Sequence, residues 1–348
     1  MLETHGYAAR SSRASLKPFT FFRRDIGAHD VLITIHYCGI CHSDLHQARD
    51  EWGGAMFPMV PGHEIVGTVA QVGRAVRRFR TGETVGVGCL VDTCRTCGSC
   101  RKGLEQYCEG HIAFTYNGTE KDGRTPTFGG YSNQIVVDQK YVLHIPTGIS
   151  PERAAPLLCA GITTYSPLRQ WRVGRRDRLG VVGLGGLGHM AVKIGAALGA
   201  EVTVCSRMGQ KKKDAKHLGA SGFAVTSDKN TFTKLTRHFD AIIDTVSATH
   251  DYNAHLELLK TDGTYILVGA PGKPLSLRAF SLLARRRRLV GSQIGGIKET
   301  QEMLNFCAKH RCAADVEVIP IQQVNDAYER MLQGDVRYRF VIDMSSLK

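Results

Sequence analysis

A chain of 348 residues that is 43% hydrophobic has apolar content for about two domains with separate cores, and no stretch approaches the ~20 uninterrupted apolar residues of a membrane helix, which excludes a membrane span. The formal net charge of +13 admits a solvated basic surface or a polyanionic partner, but the basic residues fall in scattered clusters such as Arg285 to Arg288 with no recognition motif beside them, so nucleic acid is not the expected ligand. Eleven cysteines, an odd number, suit a reducing cytosol better than a secreted disulfide framework, and a cytoplasmic location is expected.

Met1 to Arg24 is basic and contains serines, as transit peptides do, but it has Glu3 and no apolar signal core. It reads as the first strands of the fold. From Val31 to about Val142 the chain is strand-like and rich in loops, with β-branched runs at Val31 to Ile35 and Ile65 to Val69 and no long helical periodicity. Inside this region Cys94, Cys97, Cys100 and Cys108 form a C-x2-C-x2-C-x7-C cluster. Soft thiolates at this spacing point to a tetrahedral zinc site whose four positions are all filled by protein. Such a metal is structural, and the chemistry must lie elsewhere.

From about Asp177 to Gly291 strands alternate with helices: Leu179 to Val182, Val202 to Cys205, Ala241 to Asp244 and Tyr265 to Val268 are short apolar strands, the pattern of a parallel sheet covered by helices. Gly183-Leu184-Gly185-Gly186-Leu187-Gly188 follows the first of them and opens a helix. A G-x-G-x-x-G run is weak evidence alone. Between strand and helix it predicts a dinucleotide site, because the glycines permit a tight turn and close approach of a pyrophosphate to the helix N-terminus. At the end of the next strand an NAD enzyme would place an acidic residue on the ribose; this chain has Cys205-Ser206-Arg207 instead. With Ser206, Arg207 and Lys211 able to donate hydrogen bonds and positive charge, NADP(H) is predicted. The C-terminal segment reads as a helix near Glu299 to Lys309, a strand at Val316 to Ile319, a helix at Val324 to Leu332 and a strand at Arg339 to Ile342.

Cys41, His63 and Cys159 remain, none of them persuasive alone. Together with Pro61-Gly62-His63-Glu64, Gly103 to Cys108, Leu157 to Tyr165 and Gly183 to His189, however, the run Cys41-His42-Ser43-Asp44-Leu45-His46-Gln47 resembles the zinc-dependent medium-chain alcohol dehydrogenases. Within them it is most similar to the cinnamyl alcohol dehydrogenase-like group and its bacterial broad-specificity NADPH-dependent aldehyde reductases. The resemblance runs nearly end to end. It implies an α/β chain with a GroES-like β-rich catalytic domain over 1–160, completed by 295–348, and a Rossmann nucleotide-binding domain with a doubly wound parallel sheet over 161–294. The active site is expected in the cleft between them.

The same resemblance implies that Cys41, His63 and Cys159 hold a catalytic zinc with an open fourth position, able to polarise an aldehyde carbonyl, beside the structural zinc. Ser43 corresponds to the hydroxyl of a proton relay, and His46 to its outlet, a histidine being suited to that task by its ordinary pKa near about 6.5. Asp44 is expected to accept the second ring N–H of His63, and Glu64 to approach zinc during ligand exchange. His42 and Arg339 are expected at the pyrophosphate and Thr163 at the nicotinamide. Thr245, Val268, Gly269, Ser292 and Ile294 complete the cofactor site, and Trp52 is a candidate wall of the substrate pocket. Cys38, Cys89, Cys205, Cys307 and Cys312 receive no role.

The expected activity is therefore reversible reduction of aldehydes to primary alcohols, in a homodimer formed by edge pairing of nucleotide domains. Two other readings stand beside it. An NAD-preferring oxidiser of primary or polyol alcohols is disfavoured by Ser206-Arg207. A non-catalytic nucleic-acid-binding relative would have no use for an open zinc position.

Overall fold

The computed structural model describes residues 1–347, which form two compact units, one of Met1–Ile162 with the chain from Gly295 onward and the other of Thr163–Ile294. The first begins with β1 (Leu2–Ala8) and β2 (Lys17–Arg23), paired antiparallel, so the basic N-terminal stretch is indeed strand. Its spine is β3 (Asp30–Gly39), where Val31, Ile33 and Ile35 are 3% exposed or less and the intervening Thr34 and His36 face outward. That period-two burial fits a β-branched run packed on one side of a sheet. The chain continues through β4 (Ile65–Val72), β5 (Thr84–Val87), β6 (Leu90–Thr93), β7 (Ile112–Phe114), β8 (Gln134–Asp138) and β9 (Leu143–His144).

The second unit holds β10 (Arg178–Val182), β11 (Glu201–Ser206), β12 (Gly222–Val225), β13 (Phe239–Asp244), β14 (Leu259–Leu267) and β15 (Arg288–Gly291). All are parallel, in the order β12-β11-β10-β13-β14-β15. Leu179, Val181, Ile242 and Ile243 on the two central strands have no exposed surface, consistent with strands buried on both faces. Strand order reverses between β10 and β13, and in such sheets ligands bind beyond the carboxyl ends at that point. Four of the six strands lie where the sequence placed them. The other two, β12 and β15, are short and outermost, and edge strands lack the continuous apolar run that reveals central ones.

Beyond Gly295 the helix Ile297–His310 buries Thr300, Met303, Leu304 and Cys307, one face at helical spacing. Next come β16 (Val316–Pro320), a helix at Val324–Gln333 and β17 (Arg339–Asp343). The last strand pairs with β3 through Val341 opposite Gly39 and Ile342 opposite Cys38. It thereby completes the first unit's sheet, β16-β17-β3-β4-β5-β9 with β8 also on β3. Among the described residues no helix is long and apolar enough to cross a membrane.

Candidate active site and metal centres

Cys94, Cys97, Cys100 and Cys108 bring their sulfurs within 4.8 Å of one another. The Cys97–Cys108 and Cys94–Cys100 Sγ separations are 4.0 and 3.9 Å. A disulfide would need about 2.05 Å, whereas the edge of a tetrahedron with arms of about 2.3 Å is about 3.8 Å. Backbone amides of Cys97, Cys100 and Gly110 point at Cys94, Cys97 and Cys108 Sγ, each at 3.4 Å. Amide donors favour thiolates, and those of Thr96 and Cys97 bring Cys94 down to about 5, while burial pushes Cys100 up to about 12. A cation among the four sulfurs would favour their joint ionisation. The loop is tied down by Arg95, left-handed at φ 65°, whose guanidinium bridges Asp92 at 2.7 Å and Asp138 at 2.9 Å.

Cys41, His63, Glu64 and Cys159 form the second such group, all buried, with one potential ligand atom each within 4.8 Å of the others. Cys41 caps the helix His42–Ala48. The second thiol, Cys159, stands 4.0 Å from it and lies just before the helix Ala160–Gln170. A hydrogen bond from Cys159 and the neighbouring Arg339 and His63 hold the Cys41 thiol well below its ordinary pKa. His63 sits in the loop before β4. Burial opposes its protonation, but Asp44, 3.1 Å from Nδ1, together with the Cys89 and Cys41 sulfurs, outweighs that and raises its pKa. Asp44 is also the capping-box residue of the short helix, accepting from the Cys41 amide at 2.8 Å. One carboxylate thus fixes both a thiolate loop and an imidazole.

Glu64 is fully buried and forms an ion pair with Arg339, the first residue of β17. Burial pushes its carboxyl up to about 7 although Arg339 opposes the shift. Its Oε2 has no hydrogen-bond partner, an orphaned buried oxygen in a Cys2His set, and the chemistry of these donors fits zinc. Arg339, expected at a cofactor pyrophosphate, is here 4% exposed against Glu64. Ser43 Oγ lies 3.6 Å from Cys41 Sγ. His46 places Nδ1 2.5 Å from Glu51 Oε2 and its ring 5.0 Å from that of Trp52, and Trp52 is 50% exposed. His42 is exposed on the same helix.

Sequence reasoning missed several neighbours. Glu51 pairs with His46, the Tyr116 ring stacks 5.7 Å from His63, and Tyr131 donates to Asp44. Cys89, given no role, has its thiol within hydrogen-bonding reach of Cys159, which lowers its pKa. Except for Glu51, five residues from His46, these contacts join residues too far apart in sequence to form a motif.

In the second unit Gly183 turns at φ 89°, and a Cβ on Gly188 would meet the Gly183 carbonyl and Thr245 Oγ1. These two glycines let the helix Gly186–Ala197 start against β10. At Gly185 nothing lies within 4 Å of the Cβ position, which leaves the helix N-terminus open for a pyrophosphate. Leu184 is buried, and its carbonyl accepts from Lys211 Nζ at 2.8 Å; Leu187 follows in the first turn. β11 ends in Ser206 with Arg207 exposed beyond it, and no carboxylate intervenes. Thr245 Oγ1 donates to the Val182 carbonyl at 2.8 Å. Val268 and Gly269 both donate to the Asp244 carbonyl at 3.0 Å, and Ser292 donates to that of Leu267 at 3.1 Å. These residues therefore collect at the carboxyl ends of β10, β13 and β14. Ile294 is left-handed at φ 41°, and Thr163 is buried.

Residues 27–147 match the alcohol dehydrogenase GroES-like domain, and 186–309 match the zinc-binding dehydrogenase domain. The chain is 54% identical over the whole of both chains to NADP-dependent alcohol dehydrogenase C 1 of Mycolicibacterium smegmatis. Among solved structures it resembles the cinnamyl alcohol dehydrogenase SbCAD4 of Sorghum bicolor (TM-score 0.97, 46% identity, 100% and 99% of the two chains). It also resembles the cinnamyl alcohol dehydrogenase of Helicobacter pylori complexed with NADP(H) (TM-score 0.93, 42% identity, 100% and 99%). With identity and fold agreeing over essentially the full length, the chain belongs to the zinc-dependent medium-chain alcohol dehydrogenases, in their cinnamyl alcohol dehydrogenase-like group.

Proposed function

We propose that this protein interconverts aldehydes and primary alcohols with NADP(H), acting as a broad-specificity aldehyde reductase. The observation that carries this reading is the buried Cys41–His63–Cys159 set with Glu64 beside it, separate from a four-thiol site that has no position to spare. When bound, zinc supplies a Lewis acid for the carbonyl and NADPH supplies the hydride. In the first unit, as catalytic domain, Cys41 and Cys159 provide thiolates, and Asp44 holds Nδ1 of His63 so that Nε2 is presented to the metal. Ser43 would give the product oxygen its proton, and His46 would link it to solvent. Glu51 orients the outer imidazole, and Trp52 offers an aromatic wall to the substrate. Glu64 is poised beside the donor set and is held by Arg339, which also serves the pyrophosphate together with His42.

The second unit, as nucleotide-binding domain, cradles the pyrophosphate on the Gly183–Gly188 loop. Ser206, Arg207 and Lys211 meet the 2′-phosphate; Thr163, Thr245, Val268, Gly269, Ser292 and Ile294 surround the nicotinamide half. Among the described residues, its outer strand β15 has one edge without a strand partner. Phe280 and Leu283, 77% and 67% exposed, lie shortly before it. An edge strand preceded by exposed apolar residues calls for a cover, and a second copy of the chain, paired edge to edge, supplies one. Cysteines that form no disulfide among the described residues support a cytoplasmic location.

The direct test is oxidation of NADPH, against an NADH control, with benzaldehyde as acceptor. Turnover favouring NADPH is the expected result. Turnover favouring NADH would retain the zinc chemistry and overturn the cofactor assignment, and absence of turnover with a panel of aromatic and aliphatic aldehydes would overturn the activity.

A further inference from the structure

Asp44 has no solvent exposure, and four donors meet its two oxygens. Oδ1 faces the Gly62 amide at 3.0 Å and His63 Nδ1 at 3.1 Å; Oδ2 faces the Cys41 amide at 2.8 Å and the Tyr131 hydroxyl at 3.3 Å. Two of the four are backbone groups and the third is the imidazole itself. Of the side-chain hydroxyls near it, that of Tyr116 also interacts with Asp44, and Tyr131 is the one placed on Oδ2 at 3.3 Å, where a single conservative substitution can remove it.

Tyr131 is itself fully buried, and its segment braces the chain that carries His63. Gly129 donates to the Val60 carbonyl at 2.7 Å, Gly130 to Gly62 at 2.8 Å and Tyr131 to Pro61 at 3.0 Å. Gly62 stands at φ 104°, and a Cβ there would fall 2.7 Å from the Tyr131 ring. The ring occupies the space a side chain at position 62 would take, and its hydroxyl reaches past it to Asp44. A buried carboxylate is costly unless its oxygens are satisfied, and a donor on Oδ2 leaves Oδ1 to the imidazole.

We propose that Tyr131 is a positioning residue of the Cys41–His63–Cys159 metal site, acting through Asp44 to fix the ring orientation and tautomer of His63. The inference rests on reading that set as the zinc site. Outer partners of metal-bound histidines alter metal affinity by about 10–100-fold when removed, and Tyr131 stands one bond further out, so about tenfold is expected.

The test uses the full-length zinc-loaded protein and the variants Tyr131→Phe, Asp44→Asn and their combination, with zinc per chain measured during titration with a chelator. The four-cysteine site serves as internal reference in every sample. The expected result is that Tyr131→Phe releases the first zinc at about tenfold lower chelator concentration while the second is held as in wild type. In the Asp44→Asn background Tyr131→Phe should add little, because its path is already cut. Wild-type retention of both metals by Tyr131→Phe, equal loosening of both, or full additivity with Asp44→Asn would each overturn the proposal. A wild type that carries one zinc instead of two overturns the metal-site reading and, with it, the inference.

Discussion

Asp44 shows how much one side chain can carry when helix capping and metal geometry share it. Its Oδ2 closes the capping box of a seven-residue helix and its Oδ1 orients His63, so local and tertiary demands select the same residue. At Arg207 the demand is on charge alone. Arg207→Asp replaces a charge-assisted donor, worth about 1.5–3 kcal/mol, by a carboxylate that accepts from a ribose and repels a phosphate. The kcat/KM ratio for NADPH over NADH should fall by about 10–100-fold or more, and an unchanged ratio removes Arg207 from the 2′-phosphate site. Cys94→Ser should drop the zinc content from two per chain to one and destabilise the protein by on the order of 4 kcal/mol, as loss of a structural metal does. Metal analysis and thermal unfolding of the same samples check both consequences.

At the scale of elements, the turn from β10 into the helix Gly186–Ala197 is set by what glycines omit. Gly188→Ala would push a methyl group against the Gly183 carbonyl, and the backbone that must yield is the one proposed to cradle the pyrophosphate. A displacement there of about 1 Å is expected to cost about 10²-fold in kcat/KM for NADPH, with zinc content unchanged. The end of β13 carries a titrating contact, His250 Nε2 to Asp244 Oδ2 at 3.0 Å. Burial opposes the charged imidazole, but Asp244 and the Ala248 carbonyl outweigh it and raise the His250 pKa. A raised histidine pKa stabilises the fold fully below the ordinary value of about 6.5 and loses that contribution as pH climbs through the raised value. Tyr265, Tyr252, His255 and Asp251 surround the pair and are untouched in a His250→Ala variant. The Tm gap between wild type and His250→Ala should therefore be widest near pH 6 and shrink toward pH 9; a gap that widens with pH would contradict the assignment.

At the scale of the whole molecule, the metal bears on stability. The structural site lies in the loop after β6, held at Asp92 and Asp138 by Arg95, so stripping that zinc should loosen its connection to β8 as well as its own turn. For the proposed edge-to-edge dimer, Leu283→Lys, placed on an exposed apolar position, should give monomer in sedimentation velocity where the unaltered chain gives dimer, without changing zinc content. Persistence of the dimer would move the interface away from β15. Much of this organisation was legible in the sequence. The four inner strands of the parallel sheet appeared as short continuous apolar runs, because they are buried on both faces, and the C-terminal helices and strands were legible in chain order as well. β12 and β15 were not legible, since an edge strand is half solvated and, in β15, begins with Arg288.

The sequence alone determined the chemistry that depends on spacing along the chain: the four thiols of one loop, the glycines between a strand and a helix, and the missing acid after β11. Such sites are built within a few residues, where backbone geometry converts spacing directly into distance. Only the tertiary structure decided the contacts made across the chain. Tyr131 reaches Asp44 from 87 residues away and Arg339 reaches Glu64 from 275, because the segment 129–131 hydrogen-bonds to 60–62 and β17 pairs with β3. A buried carboxylate must find its partners wherever the fold brings donors, and no local pattern records which distant donor that will be.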